Sequence, residues 1–297
     1  MGSSGWGYSD LSMWNSPVFW ELRWPRTLMS VLGGGSLAVA GWLMQLYFRN
    51  PLASPSILGV TNGASLGVAA FSLVAAISGL SYAEWNIMMA GGIGALSALL
   101  VLVFFKQWIY SISGLLIFGV MLGHLAGALE TIFQQVNDQR DVINWVYWSM
   151  GSFEKGNVTQ ASYLLILLVL CLLWILWKAN DLDAWMMGED FARSIGVAVS
   201  RLGNSLIILT GLLTAVVTAF CGPVAFIGLA APHLAKFWMP QRRHQMLVWA
   251  VLLTGAIVAV YCDVMARWLH FPLNAVTSLI GAPFVMIWMI KNKRHAI

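Results

Sequence analysis

Ala161-Ser-Tyr-Leu-Leu-Ile-Leu-Leu-Val-Leu-Cys171-Leu-Leu-Trp-Ile-Leu-Trp177-Lys178 decides the architecture. No charge interrupts it until Lys178, and a helix needs about 20 predominantly apolar residues to cross the hydrocarbon core of a bilayer. The run does not stand alone. Comparable apolar stretches cover about 27–48, 58–78, 86–105, 113–133, 202–220, 223–238, 247–269 and 275–290. The chain is 59% hydrophobic and 9% charged, against roughly 25% charged in a soluble domain. Such a composition excludes a soluble enzyme, a disordered chain and a collagen-like one. An outer-membrane barrel alternates polar and apolar residues and would be less hydrophobic. The expected fold is an all-α polytopic membrane protein with about nine transmembrane helices.

Orientation follows from the basic residues. One set of connections holds Arg49, Lys106, Lys178, Arg193, Arg201, Lys236, Arg242, Arg243, Lys291, Lys293 and Arg294; the other holds Arg23, Arg26, Arg140, Lys155 and Arg267. Eleven against five places the first set in the cytoplasm. The C-terminus is then cytoplasmic and the N-terminus periplasmic. Residues 1–26 read as a periplasmic or interfacial segment, rich in tryptophan and without the apolar core of a cleavable signal peptide. Residues 27–297 read as a single transmembrane domain. The stretch 223–238 is short and opens with Gly222-Pro223, which predicts a broken or partly embedded helix, allowed only where protein covers it.

Chemistry-bearing patterns are few. Gly63-Ala-Ser65-Leu-Gly67 has the spacing of a serine-hydrolase elbow, but lies in an apolar helical stretch rather than a strand–turn–helix. Neither a P-loop nor an HExxH motif occurs. Cys171, Cys221 and Cys262 sit singly in apolar runs, as small buried residues do. The five histidines lack ligand spacing, so neither metal nor cofactor is expected, and the net charge of +4 reflects membrane topology rather than nucleic-acid binding. Ionisable residues inside a membrane are functional candidates. Glu130 and Asp263 are the main cases, and Asp263 lies one helical turn from Arg267, within pairing reach. His124 reads either as a packing residue or as part of a pathway. Gly119, Gly123 and Gly127 share one face of their helix, for close packing or to line a path. Residues 181–201 form an amphipathic segment that lies on the lipid surface or docks a cytoplasmic partner.

Taken in order, several motifs resemble the FecCD family, the permease subunits of ATP-binding-cassette (ABC) importers for vitamin B12, ferric siderophores and haem. They are Arg23-Trp-Pro-Arg26, Gly41-Trp-Leu-Met-Gln45, Arg49-Asn-Pro-Leu-Ala-Ser-Pro55, Leu58-Gly-Val-Thr-Asn-Gly-Ala64, Trp148-Ser-Met-Gly-Ser-Phe153, Gly188-Glu189 with Ala192-Arg-Ser-Ile-Gly196, Gly222-Pro-Val-Ala-Phe-Ile-Gly-Leu229, Pro232-His233, Asp263 with Arg267, and Gly281-Ala-Pro-Phe284. The resemblance runs from about Glu21 to the C-terminus. It implies the type II importer fold of ten spans, here without the first, and two such subunits, identical or different, around one pathway in a bacterial inner membrane. It also implies separate cytoplasmic ATPase subunits, so that the chain itself is no enzyme, and a periplasmic binding protein. On these positions Arg23, Arg26 and Arg267 would dock the binding protein. Gly188, Glu189, Asp190, Ala192, Arg193 and Gly196 would couple to the ATPase. Asn62 with Ser111, Ile112 and Ser113, together with His124, would lie by the pathway or gate; Ile112 stands where the family often has threonine. Leu273-Asn274 replaces the usual apolar–glycine pair, and Lys236 a usual arginine. A ferric siderophore is the expected solute, with vitamin B12 or haem as alternatives. An ion-gradient-driven transporter is the competing class, but it would favour paired broken helices in matched halves, and only one broken helix is visible.

Overall fold

The run quoted first folds as a helix, and its start shows why. Asn157 accepts the Gln160 N–H at 2.8 Å while the Gln160 side chain accepts the Asn157 N–H at 3.1 Å. This reciprocal cap satisfies two of the orphan donors of a helix N-terminus. The structure is a computed structural model and describes residues 18–78, 83–109, 111–136, 139–239 and 244–291. Within them twelve α-helices follow one another: α1 (Trp24–Phe48), α2 (Val60–Ser78), α3 (Glu84–Lys106), α4 (Ile112–Val136), α5 (Gln139–Ser149), α6 (Val158–Trp177), α7 (Ala179–Met186), α8 (Glu189–Ser194), α9 (Val199–Cys221), α10 (Ile227–Trp238), α11 (His244–Leu269) and α12 (Leu273–Lys291). A π-helical turn (Phe19–Arg23) leads into α1, and a 3-10 turn (Pro55–Leu58) precedes α2.

All nine apolar stretches are helical, but they are not equal. Seven helices, α1, α2, α3, α4, α6, α9 and α11, are long and apolar enough to cross a membrane, and α12 has a shorter apolar body, Leu273–Ile287. The stretch at 223–238 is the broken one. Its helix α10 has 12 residues, so it rises only about 18 Å where about 30 Å must be crossed. Irregular backbone at 222–226 precedes it, with Gly222 and Phe226 both at positive φ. That backbone is enclosed by protein. Pro223 O lies against Gly151, Phe226 against Gly281, and the Ala225 N–H donates to Asn274 Oδ1 at 3.2 Å. A cavity of about 130 Å³ adjoins the break, and Ser54, Thr61, Thr214 and Thr218 are among the residues that line it. α5 is a helix that the apolar-run reading does not reveal, because it is short and amphipathic.

α1 is the centre of the bundle. Nearly every side chain from Met29 to Phe48 is buried, and α11, α9, α10 and α6 surround it. Glycine permits this crowding. A methyl group added at Gly41 would lie 1.7 Å from the Gly228 carbonyl oxygen, and one at Gly34 would lie 2.5 Å from that of Gly255. These helices therefore cross with backbones in contact. Two of the three spaced glycines of α4 also serve packing: Gly119 faces the Ile57 carbonyl and Gly123 faces Asn62, while Gly127 meets nothing within 4 Å. The Gly63–Gly67 motif lies inside α2, with no strand before it, so the elbow geometry is absent. All three cysteines are buried and free.

Candidate functional site

One end of the bundle gathers three charged side chains from α1 and α11 and one from the loop after α5. Arg26 sits in the first turn of α1. Its Nε donates to both oxygens of Asp263 at 3.0 and 3.1 Å, and its Nη2 donates to Oδ1 at 2.9 Å. Its remaining Nη1 meets Glu154 Oε2 at 3.1 Å. Arg267, one turn beyond Asp263, reaches the other carboxylate oxygen at 3.3 Å. The side chains of Asp263 and Arg26 are only 5% and 15% exposed, whereas those of Arg267 and Glu154 are 50% and 72% exposed. A carboxylate buried this far must be paired. Arg26 is the partner that pairs it, and its planar fork is why arginine rather than lysine stands there. The pairing of Asp263 with Arg267 is legible in their four-residue spacing. Arg26 and Glu154 are not, since they arrive from distant segments. The exposed basic group of this end that sequence assigns to docking is therefore Arg267, with Arg23 also exposed. Arg26 is engaged inside the chain.

The opposite end holds Arg49, Lys106 and the segment α7–α8. Lys178 pairs with Asp181 at 2.9 Å, and Arg193 with Glu189 at 3.7 Å. Gly188 (φ 126°) breaks α7 from α8, and Gly196 (φ 89°) ends α8; both are conformations that an L side chain rarely adopts. Ala192 is fully buried and seats α8, while Asp190 and Arg193 face outward. Met186, Met187, Phe191 and Ile195 are exposed on this otherwise polar segment. No membrane-spanning run explains them, and exposed apolar side chains rimmed by charge mark an interaction surface.

Among the sequence-derived pathway residues, Asn62 is committed to packing: its Nδ2 donates to the Gly123 carbonyl at 2.9 Å and joins α2 to α4. Ser111 caps α4 by accepting the Gly114 N–H at 2.9 Å. Ser113 is exposed and Ile112 half-buried. His124 is exposed on the mid-helix surface of α4, so it is not packed within this chain. Among the described residues no cluster of three His, Cys, Asp or Glu could hold a metal.

These features define a polytopic helical membrane protein with charged clusters at both ends. The FecCD transport family matches residues 5–291, and the chain belongs to it as an ABC importer permease. It is 37% identical over 275 residues to the vitamin B12 import system permease protein BtuC of Salmonella paratyphi A, covering 91% of this chain and 82% of that protein. The Salmonella typhi BtuC is similar to the same degree. Among solved structures, an ABC transporter described as of metal-chelate type, in an inward-facing conformation, superposes with a TM-score of 0.87 at 28% identity, covering 98% of this chain and 93% of that one. PsaBC from Streptococcus pneumoniae, at 17% identity and a TM-score of 0.61 over 89% of this chain and 90% of its own, shares the fold.

Proposed function

We propose that this chain forms, with a second permease subunit, the translocation pathway of a bacterial inner-membrane importer for a bulky metal chelate, driven by a separate ATPase. The observation that carries the reading is the α7–α8 element: a charged segment outside the spans that seats itself by Ala192 and turns Met186, Met187, Phe191 and Ile195 outward. Such a patch suits insertion into a cleft of a cytoplasmic ATPase. On this reading the Arg49 end is cytoplasmic and the Arg26–Asp263 end periplasmic, which the distribution of basic residues also favours. Arg267, with Arg23, would meet carboxylates of a binding protein at that periplasmic end.

The cobalt corrinoid of vitamin B12 is the solute best supported, because the 37% identity to BtuC extends over 91% of the chain. A ferric siderophore is the second reading, favoured by the likeness to a metal-chelate type transporter. The test is ATP-dependent uptake in proteoliposomes holding this permease, its ATPase and its binding protein, with cyanocobalamin, ferric siderophores and haem supplied in turn. Uptake of cyanocobalamin alone supports the corrinoid reading, and uptake of a siderophore alone replaces it. A permease that retains no ATPase through purification and accumulates solute without ATP would overturn the importer reading itself.

A further inference from the structure

Trp185, in the last turn of α7, is 2% exposed; it lies within the amphipathic segment 181–201, where the sequence gives it no role of its own. Its ring stacks on Tyr47 of α1, with centroids 5.9 Å apart and planes 20° from parallel. Its Nε1–H donates to the Leu46 carbonyl at 3.2 Å, which also accepts the Arg49 N–H at 3.3 Å where α1 ends. Arg49 also engages Trp185. Its Nη2 donates to the Trp185 carbonyl at 3.0 Å, and its guanidinium lies 5.5 Å from the centre of the indole. Arg49 holds this position at φ 47°, a left-handed conformation that usually falls to glycine or asparagine at a helix end. Two further spans close the box. Lys106 at the end of α3 sits 5.1 Å over the Tyr47 ring and bonds Asn204 of α9. A methyl added at Gly203 would lie 3.1 Å from Tyr47 and 3.4 Å from Trp185. Past Arg49 the chain leads directly to Pro51, whose carbonyl meets His233 of α10 at 2.7 Å.

We propose that Trp185, locked by Arg49, is the positioning residue that carries displacement of α7–α8 into α1 and the half-helix α10. This rests on the coupling role given to α7–α8 above. A hydrogen bond in each direction and a ring stack make a contact that transmits both push and pull, which apolar packing alone would not. The ends of α1, α3 and α9 converge on it, so one displacement reaches three spans together.

The experiment measures solute imported per ATP hydrolysed by the intact complex in proteoliposomes. Trp185→Ala is expected to keep its ATPase subunits and go on hydrolysing ATP, with import per ATP falling about tenfold. Trp185→Phe retains the stack without the N–H and should recover part of that loss. Arg49→Gln removes the clasp from the more exposed side and should uncouple in the same sense; it decides the matter if Trp185→Ala does not assemble. An unchanged ratio in Arg49→Gln, or a proportional loss of import and hydrolysis in Trp185→Ala, overturns the proposal. A wild-type complex without ATP-dependent import would instead sink the importer reading.

Discussion

Arg26 and Asp263 lie 237 positions apart and meet through three hydrogen bonds of 2.9–3.1 Å at one end of the bundle. The contact joins the start of the most buried helix, α1, to the last turns of α11. It leaves Arg267 half exposed on the same carboxylate. The cluster therefore has an inner ion pair that holds helices and an outer cation that can meet a partner.

Breaking the inner pair should be costly. Asp263→Ala leaves the Arg26 guanidinium buried without its main partner, a loss of about 3–5 kcal/mol. Arg267→Ala removes a half-exposed cation and should cost about 1 kcal/mol or less. Thermal unfolding in detergent separates the two, and equal melting temperatures for both variants would disprove the division of roles.

Arg267→Gln should weaken binding-protein association while leaving the subunit folded, because it removes the half-exposed cation without setting a second carboxylate against Asp263. The loss should be greatest at low ionic strength and shrink as salt screens the rim. Affinity in nanodiscs over a salt series checks this. Arg26→Glu is the wrong probe: it sets a carboxylate against Asp263 and is expected to unfold the subunit.

Gly41→Leu is expected to abolish the folded state, since even a methyl would lie 1.7 Å from the Gly228 carbonyl oxygen. Overpacking by extra methylenes alone costs about 1–3 kcal/mol, and here the obstacle is backbone. Gly127→Leu should leave the single subunit folded, because no other described element lies within 4 Å of an added Cβ. Size-exclusion profiles of the two variants give the comparison.

Asn274→Gly restores the residue usual in the family and should destabilise this protein by about 1–2 kcal/mol. The Asn274 side chain accepts the Ala225 N–H of the broken segment, and its backbone N–H donates to the Met150 carbonyl at 3.1 Å. Asn274→Asp keeps the acceptor and should retain most of the stability. A melting temperature unchanged in Asn274→Gly would show that water replaces the side chain.

Gly196→Trp tests α7–α8 from its exposed side. Apart from its chain neighbours, no described residue has an atom within 4 Å of an added Cβ, so the main unfavourable term is the φ of 89°, at about 1–3 kcal/mol. Gly196→Ala carries the same backbone penalty without the bulk. Import lost in the Trp variant and kept in the Ala variant would show that a partner surface lies against this glycine; equal behaviour would show that none does.

Helical spans, their approximate limits and the break at Gly222-Pro223 were legible in the amino-acid order, because burial in lipid is decided by local apolar length and by the cost of unsatisfied backbone. The Asp263–Arg267 pair was legible for the same reason, being one turn apart on one helix. α5 was not, since a short amphipathic helix leaves no run of apolar residues. What only the tertiary structure decided is which distant groups share a site. Arg26 and Arg267 look alike in sequence, yet one spends its donors on Asp263 and Glu154 while the other faces outward. Trp185 looks like an interfacial tryptophan until α1 brings Tyr47, Leu46 and Arg49 around it. Local pattern sets how each segment meets the bilayer; contact between segments far apart in the chain follows from helix crossings that glycine allows, and those crossings assign each charged side chain its partner.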